Sequence, residues 1–206
     1  MITLKNICKS YDKEVVLKNI NLNIKKGSFT ALVGESGSGK TTLLSILSTL
    51  LKANSGEIIF ENQNYNSIKN IDRFRQKNIG FVFQFHYLIN YLSVKENILL
   101  ANEKASIDEI NNLLSLLDIS KLTNSYPNEI SGGQRQRVAI ARALINKPRV
   151  IFADEPTGNL DSKNSLNIFN IFKKLSKEGV TIVVATHDKE LAKLADITLE
   201  VKDGQL

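Results

Sequence analysis

Alternating apolar and polar positions predict strands in the first quarter of the chain. Residues 2–10 and 15–24 alternate in this way, and residues 11–14 provide a turn between them. A second turn at residues 25–27 leads onward, and residues 57–60 form a further alternating segment. Alternation of this kind is typical of antiparallel sheets with one buried face. We therefore expect an antiparallel β layer built from segments before and after residues 29–51.

Short runs of apolar residues predict a second and more deeply buried sheet. These runs cover residues 29–33, 79–83, 149–154, 180–185 and 198–201. The run at 180–185 is apolar along its length, which favours a central strand with parallel neighbours.

Helices are predicted where apolar residues recur at spacings of three and four. Capping boxes join Ser93 to Glu96 and Ser106 to Glu109, and they open helices in an insert of about residues 85–145. Four other helices are predicted. One follows residue 40, one follows residue 132, and one covers residues 189–195. The fourth begins at Asp161 or Ser162, runs through Leu175 and stops at Gly179. The chain is thus predicted to be α/β, with a mainly parallel sheet core, an antiparallel β layer and a helical subdomain. One domain over residues 1–206 is expected.

Composition and charge exclude several classes of protein. The net charge is +6, but 21 lysines against 6 arginines are scattered rather than clustered, so nucleic-acid binding is not expected. No apolar run approaches the about 20 residues of a membrane-spanning helix. The start of the chain has no apolar segment of a secretory signal. The single cysteine, Cys8, cannot form an internal disulfide and fits a reducing compartment. We therefore expect a cytoplasmic protein.

Residues 34–41 fit the pattern G-x-x-x-x-G-K-[ST], with a predicted strand before them and a predicted helix after them. Such a loop turns backbone N–H groups toward phosphate oxygens, and the positive end of the helix dipole faces the same anion. Lys40 is expected to reach the β- and γ-phosphates, and the Thr41 hydroxyl to bind Mg²⁺. The residues assigned to nucleotide binding here are Gly34, Glu35, Ser36, Gly37, Ser38, Gly39, Lys40, Thr41 and Thr42.

A second glycine pair, Gly132 and Gly133, also comes directly before a helix. One nucleotide per chain does not need two such anion sites, so the second one is expected to serve the nucleotide of another molecule. The segment assigned to it consists of Ser131, Gly132, Gly133 and Gln134.

Four residues at predicted strand ends or turns are candidates for chemistry. Asp154 ends an apolar strand near the phosphate loop, where a Mg²⁺ ligand is expected, and Glu155 could deprotonate an attacking water. An adjacent acidic pair can also be a solvated turn or a helix cap. His187 follows the central strand at the edge where ligands bind in α/β sheets, although a single histidine is often structural. Tyr11 could either stack on an adenine ring or pack in its turn.

These motifs together resemble the nucleotide-binding subunits of ATP-binding cassette (ABC) transporters, over residues 4–204. Residues 34–41 are similar to Walker A, residues 150–154 with Glu155 to Walker B and its catalytic glutamate, and residues 131–134 to the signature, where Ile130 replaces the usual leucine. Gln84 resembles the Q-loop residue, Asp161 lies in the D-loop, His187 resembles the switch histidine, and Tyr11 resembles the A-loop aromatic.

The resemblance implies roles for these residues. ATP and Mg²⁺ are the implied cofactors, with Glu155, His187 and Gln84 catalytic and with Thr41, Gln84 and Asp154 on the metal. Two copies are implied to pack head to tail, with ATP between the phosphate loop of one copy and residues 131–134 of the other.

Residues 80–88 and 153–161 are similar to the MacB/LolD group within this family. That group implies a membrane partner that exports or extracts lipoproteins, peptides or macrolides, and a peripheral location on the cytoplasmic face of the inner or plasma membrane. The partner is expected to dock on residues 85–91, which are unusually rich in aromatic and apolar side chains; the alternative is that they only seal the helical insert against the core.

Two other classes of function are weaker fits. A soluble ABC-type ATPase acting on nucleic acid in DNA repair would carry a long coiled coil, whereas only about ninety residues separate Lys40 from Ser131. A ribosomal member would carry two cassettes, and one is present. A P-loop nucleotide kinase would not need residues 131–134.

Overall fold

The computed structural model describes residues 1–12 and 14–206, so Lys13, within the predicted turn at 11–14, lies outside the described residues. The strands are β1 (Ile2–Tyr11), β2 (Glu14–Ile24), β3 (Phe29–Val33), β4 (Ser55–Phe60), β5 (Gln63–Asn64), β6 (Ile79–Val82), β7 (Val150–Asp154), β8 (Thr181–Thr186) and β9 (Ile197–Glu200). The helices are α1 (Lys40–Leu47), α2 (Ile71–Asn78), α3 (Val94–Leu99), α4 (Ile107–Leu116), α5 (Gly132–Leu144), α6 (Ser162–Lys177) and α7 (Lys189–Ala192). Single 3₁₀ turns lie at Tyr65–Ser67, Ser120–Leu122 and Pro127–Glu129.

The strands form two sheets, as the hydrophobic pattern predicts. One sheet is antiparallel with the order β2-β1-β4-β5, and the other is parallel with the order β6-β7-β8-β3-β9. Strand β8 is buried at every position and pairs in parallel with β7 and β3. The prediction of a central parallel strand near residues 180–185 is therefore confirmed, and its bounds move by one residue.

The parallel sheet has a hydrophobic cluster on each face, because successive side chains of a strand point to opposite sides. Ile182 and Val184 of β8 belong to the cluster beneath helices α3 to α6. Val183 and Ala185 belong to the cluster shared with α1 and the antiparallel sheet. Full burial of a large apolar side chain contributes about 1.5–3 kcal/mol. The sheet is thus held from both sides, and its strand ends are fixed in place.

The register of the parallel strands places four loops at one edge of the sheet. Val82 pairs with Ala153, Asp154 pairs with Ala185, and Thr186 pairs with Val33. The carboxyl ends of β6, β7, β8 and β3 therefore lie side by side. Ligands of open parallel sheets bind at such an edge.

Several elements differ from the sequence prediction. Helix α2 lies in a polar stretch for which no helix is predicted; its cap is Asn70, whose side chain accepts a hydrogen bond from the Arg73 amide. The start of the predicted helical insert is not helical, because residues 85–92 form a loop before α3. Helix α7 ends at Ala192 rather than at residue 195. Within the described residues, no helix has both the length and the apolar character needed to cross a membrane.

Candidate functional site

The loop between β3 and α1 leaves the first amides of α1 without a side-chain cap. Gly39 is the N-cap, has φ 105°, which favours glycine, and offers no capping group. No acidic residue lies in the first turn of α1. Gly34 is needed for space, because a Cβ there would lie 2.3 Å from the carbonyl oxygen of Val201. The helix N-terminus is therefore open to an anion.

Lys40 places its ammonium group inside the same loop. Its Nζ donates hydrogen bonds to the carbonyl oxygens of Gly34 at 2.8 Å and Glu35 at 2.9 Å, and the residue is 7% exposed. The Ser38 hydroxyl oxygen is buried and has no hydrogen-bond partner among the described residues. A buried unpaired hydroxyl is costly, so a ligand that contacts Ser38 would relieve that cost. The loop fits the triphosphate of a nucleotide.

Thr41 and Asp154 bring two oxygen ligands together beside the loop. The Thr41 hydroxyl donates to Asp154 Oδ1 at 3.1 Å. Burial raises the pKa of Asp154 above its ordinary value and neighbouring Glu155 raises it further, whereas the Thr41 hydrogen bond and Lys40 oppose this shift. A hard cation would favour the ionised carboxylate, and oxygen ligands are those that Mg²⁺ prefers. The pair fits a magnesium site.

Glu155 and His187 meet at the ends of β7 and β8. His187 Nδ1 lies 2.9 Å from Glu155 Oε2, and the two side chains are 69% and 18% exposed. Glu155 has φ 44° and donates its amide hydrogen to the Ala185 carbonyl at 2.9 Å. A non-glycine residue held with positive φ often marks a functional position. The Glu155 side chain is thus held against His187 and largely removed from solvent, although its residue also begins the turn at 155–158.

Gln84 lies after β6 and contacts the loop that follows Glu155. A Cβ on Gly158 would come within 2.7 Å of Gln84 Nε2, and Asn159 Nδ2 donates to the Gln84 carbonyl at 3.4 Å. Further along that loop, Asp161 caps α6 by accepting hydrogen bonds from the backbone and side-chain amides of Asn164, both at 2.8 Å. These bonds lower the pKa of Asp161.

The Ser131 segment begins α5 and is closed on itself by a capping box. The Gln134 amide donates to Ser131 Oγ at 3.3 Å, and the Ser131 amide donates to Gln134 Oε1 at 2.8 Å. In residues 1–12 and 14–206, no hydrogen bond joins residues 131–134 to residues 34–42. The segment is exposed at Ser131 and lies apart from the phosphate loop of its own chain in this hydrogen-bond network.

Tyr11 lies at the end of β1 and is 48% exposed. The Lys9 ammonium is 5.1 Å from its ring centroid, a cation–π distance. On the neighbouring strand, the Val16 carbonyl lies 3.1 Å from the place that a Cβ on Gly39 would take. The hairpin that carries Tyr11 therefore contacts the phosphate loop through β2.

Comparison with known proteins decides the family. The sequence profile of the ABC transporter family matches residues 17–158, which hold the phosphate loop, Gln84, the Ser131 segment and the Asp154 and Glu155 pair. The chain belongs to the ABC transporter family. It is an ATP-binding cassette of that family and an ATPase.

Two sequence relatives illustrate the relationship. The macrolide export ATP-binding/permease protein MacB of Campylobacter jejuni is 45% identical over 214 residues, which is 100% of this chain and 33% of MacB. The lipoprotein-releasing system ATP-binding protein LolD of Aquifex aeolicus is 43% identical, over 98% of this chain and 93% of LolD. The chain thus spans about a third of the MacB relatives and nearly all of this LolD relative.

Solved cassettes share the fold over the whole chain. The dimeric bacterial ABC transporter cassette MJ0796 has a TM-score of 0.89 and 41% identity, and covers 100% of this chain and 96% of its own. A dimeric post-hydrolysis state of the same cassette, bound to ADP and Pi, has a TM-score of 0.89 and 39% identity with the same coverage. The α/β ABC-type fold expected from the sequence is confirmed.

The cassette also contains contacts that the motifs do not predict. Asn159, Gln136 and Arg142 donate hydrogen bonds to main-chain carbonyls in residues 83–87, and Asn97 bonds to Ile89. Each of these bonds joins residues at least eight positions apart in sequence. No local sequence signal indicates them, because the contact depends on how α3, α5 and β6 pack.

Proposed function

We propose that two copies of this cassette enclose two ATP molecules and power a membrane partner. Support comes first from two dimeric structures of one solved cassette, which cover the whole chain at 39% and 41% identity. It comes also from the Ser131 segment, an exposed second helix N-terminus without a hydrogen bond to its own phosphate loop. An isologous pair would bring this segment of each copy to the nucleotide of the other. We retain the proposal of one cassette domain over residues 1–206, with a helical part at about 85–145.

Within each site, we propose the following roles for these residues. The open amides before α1 and Lys40 bind and orient the phosphates, Tyr11 stacks on the base, and Asp161 borders the neighbouring copy. Thr41 and Asp154 would hold Mg²⁺ with Gln84 beside them; when bound, this ion supplies positive charge to the phosphate oxygens. Glu155 accepts the proton of the attacking water, and His187, hydrogen-bonded to Glu155, orients that carboxylate and contacts the γ-phosphate.

The membrane partner is proposed to export or extract lipoproteins, peptides or macrolides. This proposal rests on relatives named for macrolide export and for lipoprotein release. A third relative, the bacitracin export ATP-binding protein BceA of Halalkalibacterium halodurans, is 42% identical over 98% of this chain and 85% of its own. The cassette would then lie on the cytoplasmic face of the membrane, bound through its partner.

The proposed docking surface is the exposed part of residues 85–91. Phe85, Tyr87 and Tyr91 are 60%, 64% and 79% exposed, and the rings of Phe85 and Tyr87 are 6.4 Å apart. Three exposed aromatic rings in seven residues are typical of an interaction surface. Leu88 is different, because it packs against the hydrophobic core and seals the insert. The surface is therefore carried by the aromatic residues, with His86 half-buried at its rim.

Replacement of Glu155 by glutamine tests the shared-site proposal. We expect Glu155→Gln to bind ATP, to lose hydrolysis by at least about 100-fold, and to form a dimer with Mg²⁺ and ATP on size exclusion, because only the proton acceptor is removed. Glu190→Gln, an exposed glutamate paired with Lys193, is the matched control and should behave as the parent does. A Glu155→Gln protein that stays monomeric at saturating Mg²⁺ and ATP would overturn the shared site.

The docking proposal is tested with Phe85→Ala and Tyr87→Ala. ATP binding and melting temperature should stay near those of the parent, while capture of the membrane protein encoded beside this gene, in detergent, falls at least tenfold. Ile107→Ala removes a comparably exposed apolar side chain, 61% exposed at the start of α4, and serves as the control. Unchanged capture by both aromatic variants would place the docking surface elsewhere.

A further inference from the structure

Helix α5 contacts the loop after Gln84 through one arginine. Arg142 Nη1 donates to the Tyr87 carbonyl at 2.7 Å, and Arg142 Nη2 donates to the His86 carbonyl at 2.7 Å. The two N–H groups of a guanidinium are fixed in a fork, so these two bonds set the position of two successive peptide groups. Burial lowers the pKa of Arg142, and no carboxylate among the described residues pairs with it. The two carbonyls are thus its compensation for lost hydration.

The other end of the same loop is fixed by Asn97 of α3. This residue is fully buried, its Oδ1 accepts from the Ile89 amide at 2.8 Å, and its Nδ2 donates to the Leu92 carbonyl at 2.9 Å. At the first anchor, Tyr87 has φ 46°, a conformation that is uncommon for residues other than glycine. The loop is therefore pinned in one conformation, with the exposed rings turned outward.

Two further features join α5 to this loop. Gln136 is fully buried, and its Nε2 donates to the Phe83 carbonyl at 3.4 Å, one residue before Gln84. Burial lowers the pKa of His86, and the guanidinium groups of Arg135 and Arg142 lower it further. A backbone hydrogen bond with Gly132 opposes this lowering, and the lowered pKa disfavours a positive charge on His86 beside Arg142.

A second arginine of α5 provides a direct comparison. Arg137 Nη1 donates to the Leu117 carbonyl at 2.7 Å and lies 3.4 Å from the Asp118 carboxylate, so it ties α5 to the end of α4. Arg137 and Arg142 make the same kind of bond from the same helix. Of the two, Arg142 alone is hydrogen-bonded to residues 85–91.

We propose that Arg142 is a positioning residue that makes α5 and residues 85–91 move together. Helix α5 begins at the Ser131 segment, which in the proposed dimer contacts the nucleotide of the other copy. Residues 85–91 connect Gln84 with the proposed docking surface. A displacement of α5 on ATP binding is therefore carried to the docking surface through the two Arg142 hydrogen bonds, and the reverse holds as well. This inference rests on the proposed function.

The first test uses hydrogen–deuterium exchange of the whole protein without nucleotide. In Arg142→Met, amides of residues 85–92 should exchange at least tenfold faster than in the parent, because two anchoring bonds are lost. Arg142→Lys should give an intermediate rate, since an ammonium group cannot reproduce the fork. Arg137→Met should leave this peptide unchanged and speed exchange near residue 117. Equal exchange of residues 85–92 in Arg142→Met and parent would overturn the proposal.

The second test asks whether ATP binding at α5 changes residues 85–92 through Arg142. It compares hydrogen–deuterium exchange with and without Mg²⁺ and ATP in the Glu155→Gln background, which is the parent here. The parent should show changed exchange both in residues 131–136 and in residues 85–92. Arg142→Met should keep the change in exchange of residues 131–136, whereas the change in residues 85–92 should be at least tenfold smaller than in the parent. Its ATP affinity should stay within about twofold of the parent because the phosphate loop is intact. An undiminished response of residues 85–92 would overturn the proposal. If Glu155→Gln forms no dimer, the proposed function fails, and the nucleotide-free experiment still decides the role of Arg142.

Discussion

The two glycine-bearing helix starts of this cassette are built differently. Before α1 the N-cap is Gly39 with φ 105°, no side chain caps the helix, and Lys40 lies inside the loop. Before α5 the N-cap is Ser131, which forms a reciprocal capping box with Gln134. The first helix start thus leaves its amides for a ligand, whereas the second already satisfies part of its own.

The glycines differ in the same way. Gly39 is required by its backbone conformation, which a side chain would strain. Gly133 has no positive φ and is required by space instead, because a Cβ there would lie 2.8 Å from Asn164 Oδ1. The phosphate loop binds its ligand within one chain and depends on the positive φ of Gly39. The Ser131 segment is proposed to complete the site of another copy, and there Gly133 is needed because there is no space for a side chain. The first is therefore expected to determine ATP binding and the second to determine pairing.

Lys40→Ala should produce the largest effect. We expect ATPase activity to fall at least about 100-fold, because a positive charge aimed at the phosphates is removed from a largely buried site. Lys189→Ala is the control, since Lys189 also opens a helix but is exposed and pairs with Glu200. Activity of Lys40→Ala near that of the parent would show that the first helix start does not hold the triphosphate.

Ser131→Ala in the Glu155→Gln background should separate pairing from binding. Removal of a serine cap costs about 1 kcal/mol of helix stability, which should lower the melting temperature slightly. ATP affinity of the monomer should stay within about twofold, while the ATP-dependent dimer weakens at least tenfold by analytical ultracentrifugation.

Ser106→Ala provides the matched control for that change. Ser106 forms the same capping box on α4, where Glu109 donates its amide to Ser106 Oγ at 3.1 Å. Its loss should lower stability by a similar amount and leave the dimer intact. If Ser106→Ala weakens the dimer as much as Ser131→Ala does, the effect is one of stability and the comparison between the two helix starts is wrong.

The sequence predicts those residues of the site that lie directly after a strand. The runs that precede Gly34, end at Asp154 and precede His187 are recognisable as strands, and ligands bind at the carboxyl ends of parallel strands. The order of those strands could not be read in the same way, because pairing is set by packing between residues far apart, such as Val33 with Thr186. The hydrogen bond between Glu155 and His187 is a consequence of that order.

Other parts escaped prediction because they lack a periodic signal. Helix α2 contributes only Phe74 to a hydrophobic cluster, so its apolar pattern is too short to detect, although Asn70 before it and Asp72 in its first turn are typical of a helix start. The helical insert predicted at about residues 85–145 rests on the capping boxes at Ser93 and Ser106, and it includes residues 85–92, which precede both boxes. Residues 85–92 are held as a loop by Arg142 and Asn97, whose bonding partners depend on tertiary packing.

Two aspartates of the site should respond to replacement with opposite signs, and this is the smallest effect we expect. Burial raises the pKa of Asp154, so its ionised form is disfavoured in the folded protein; the penalty is present at neutral pH and fades as pH falls through the raised pKa toward 3.8. Hydrogen bonds from Asn164 lower the pKa of Asp161, so its ionised form stabilises the fold above pH 3.8 and that stability is lost as pH falls through the lowered pKa.

Asp154→Asn should therefore raise the melting temperature of the nucleotide-free protein at pH 7, and Asp161→Asn should lower it. Each kcal/mol corresponds to about 2–4 °C in a chain of this size. In calorimetric scans the Asp154 difference should shrink as pH is lowered toward 3.8, because its raised pKa lies above that value. The Asp161 difference should persist over the same range and shrink only below pH 3.8, as pH falls through its lowered pKa. With Mg²⁺ and ATP the sign for Asp154 should reverse, because the parent gains the cation contact that asparagine provides poorly, and a ligand at 100 times its Kd adds about 2.7 kcal/mol. If Asp154→Asn melts below the parent without nucleotide at pH 7, the buried carboxylate stabilises this fold. The site beside the open phosphate loop would then not reduce the stability of the nucleotide-free protein.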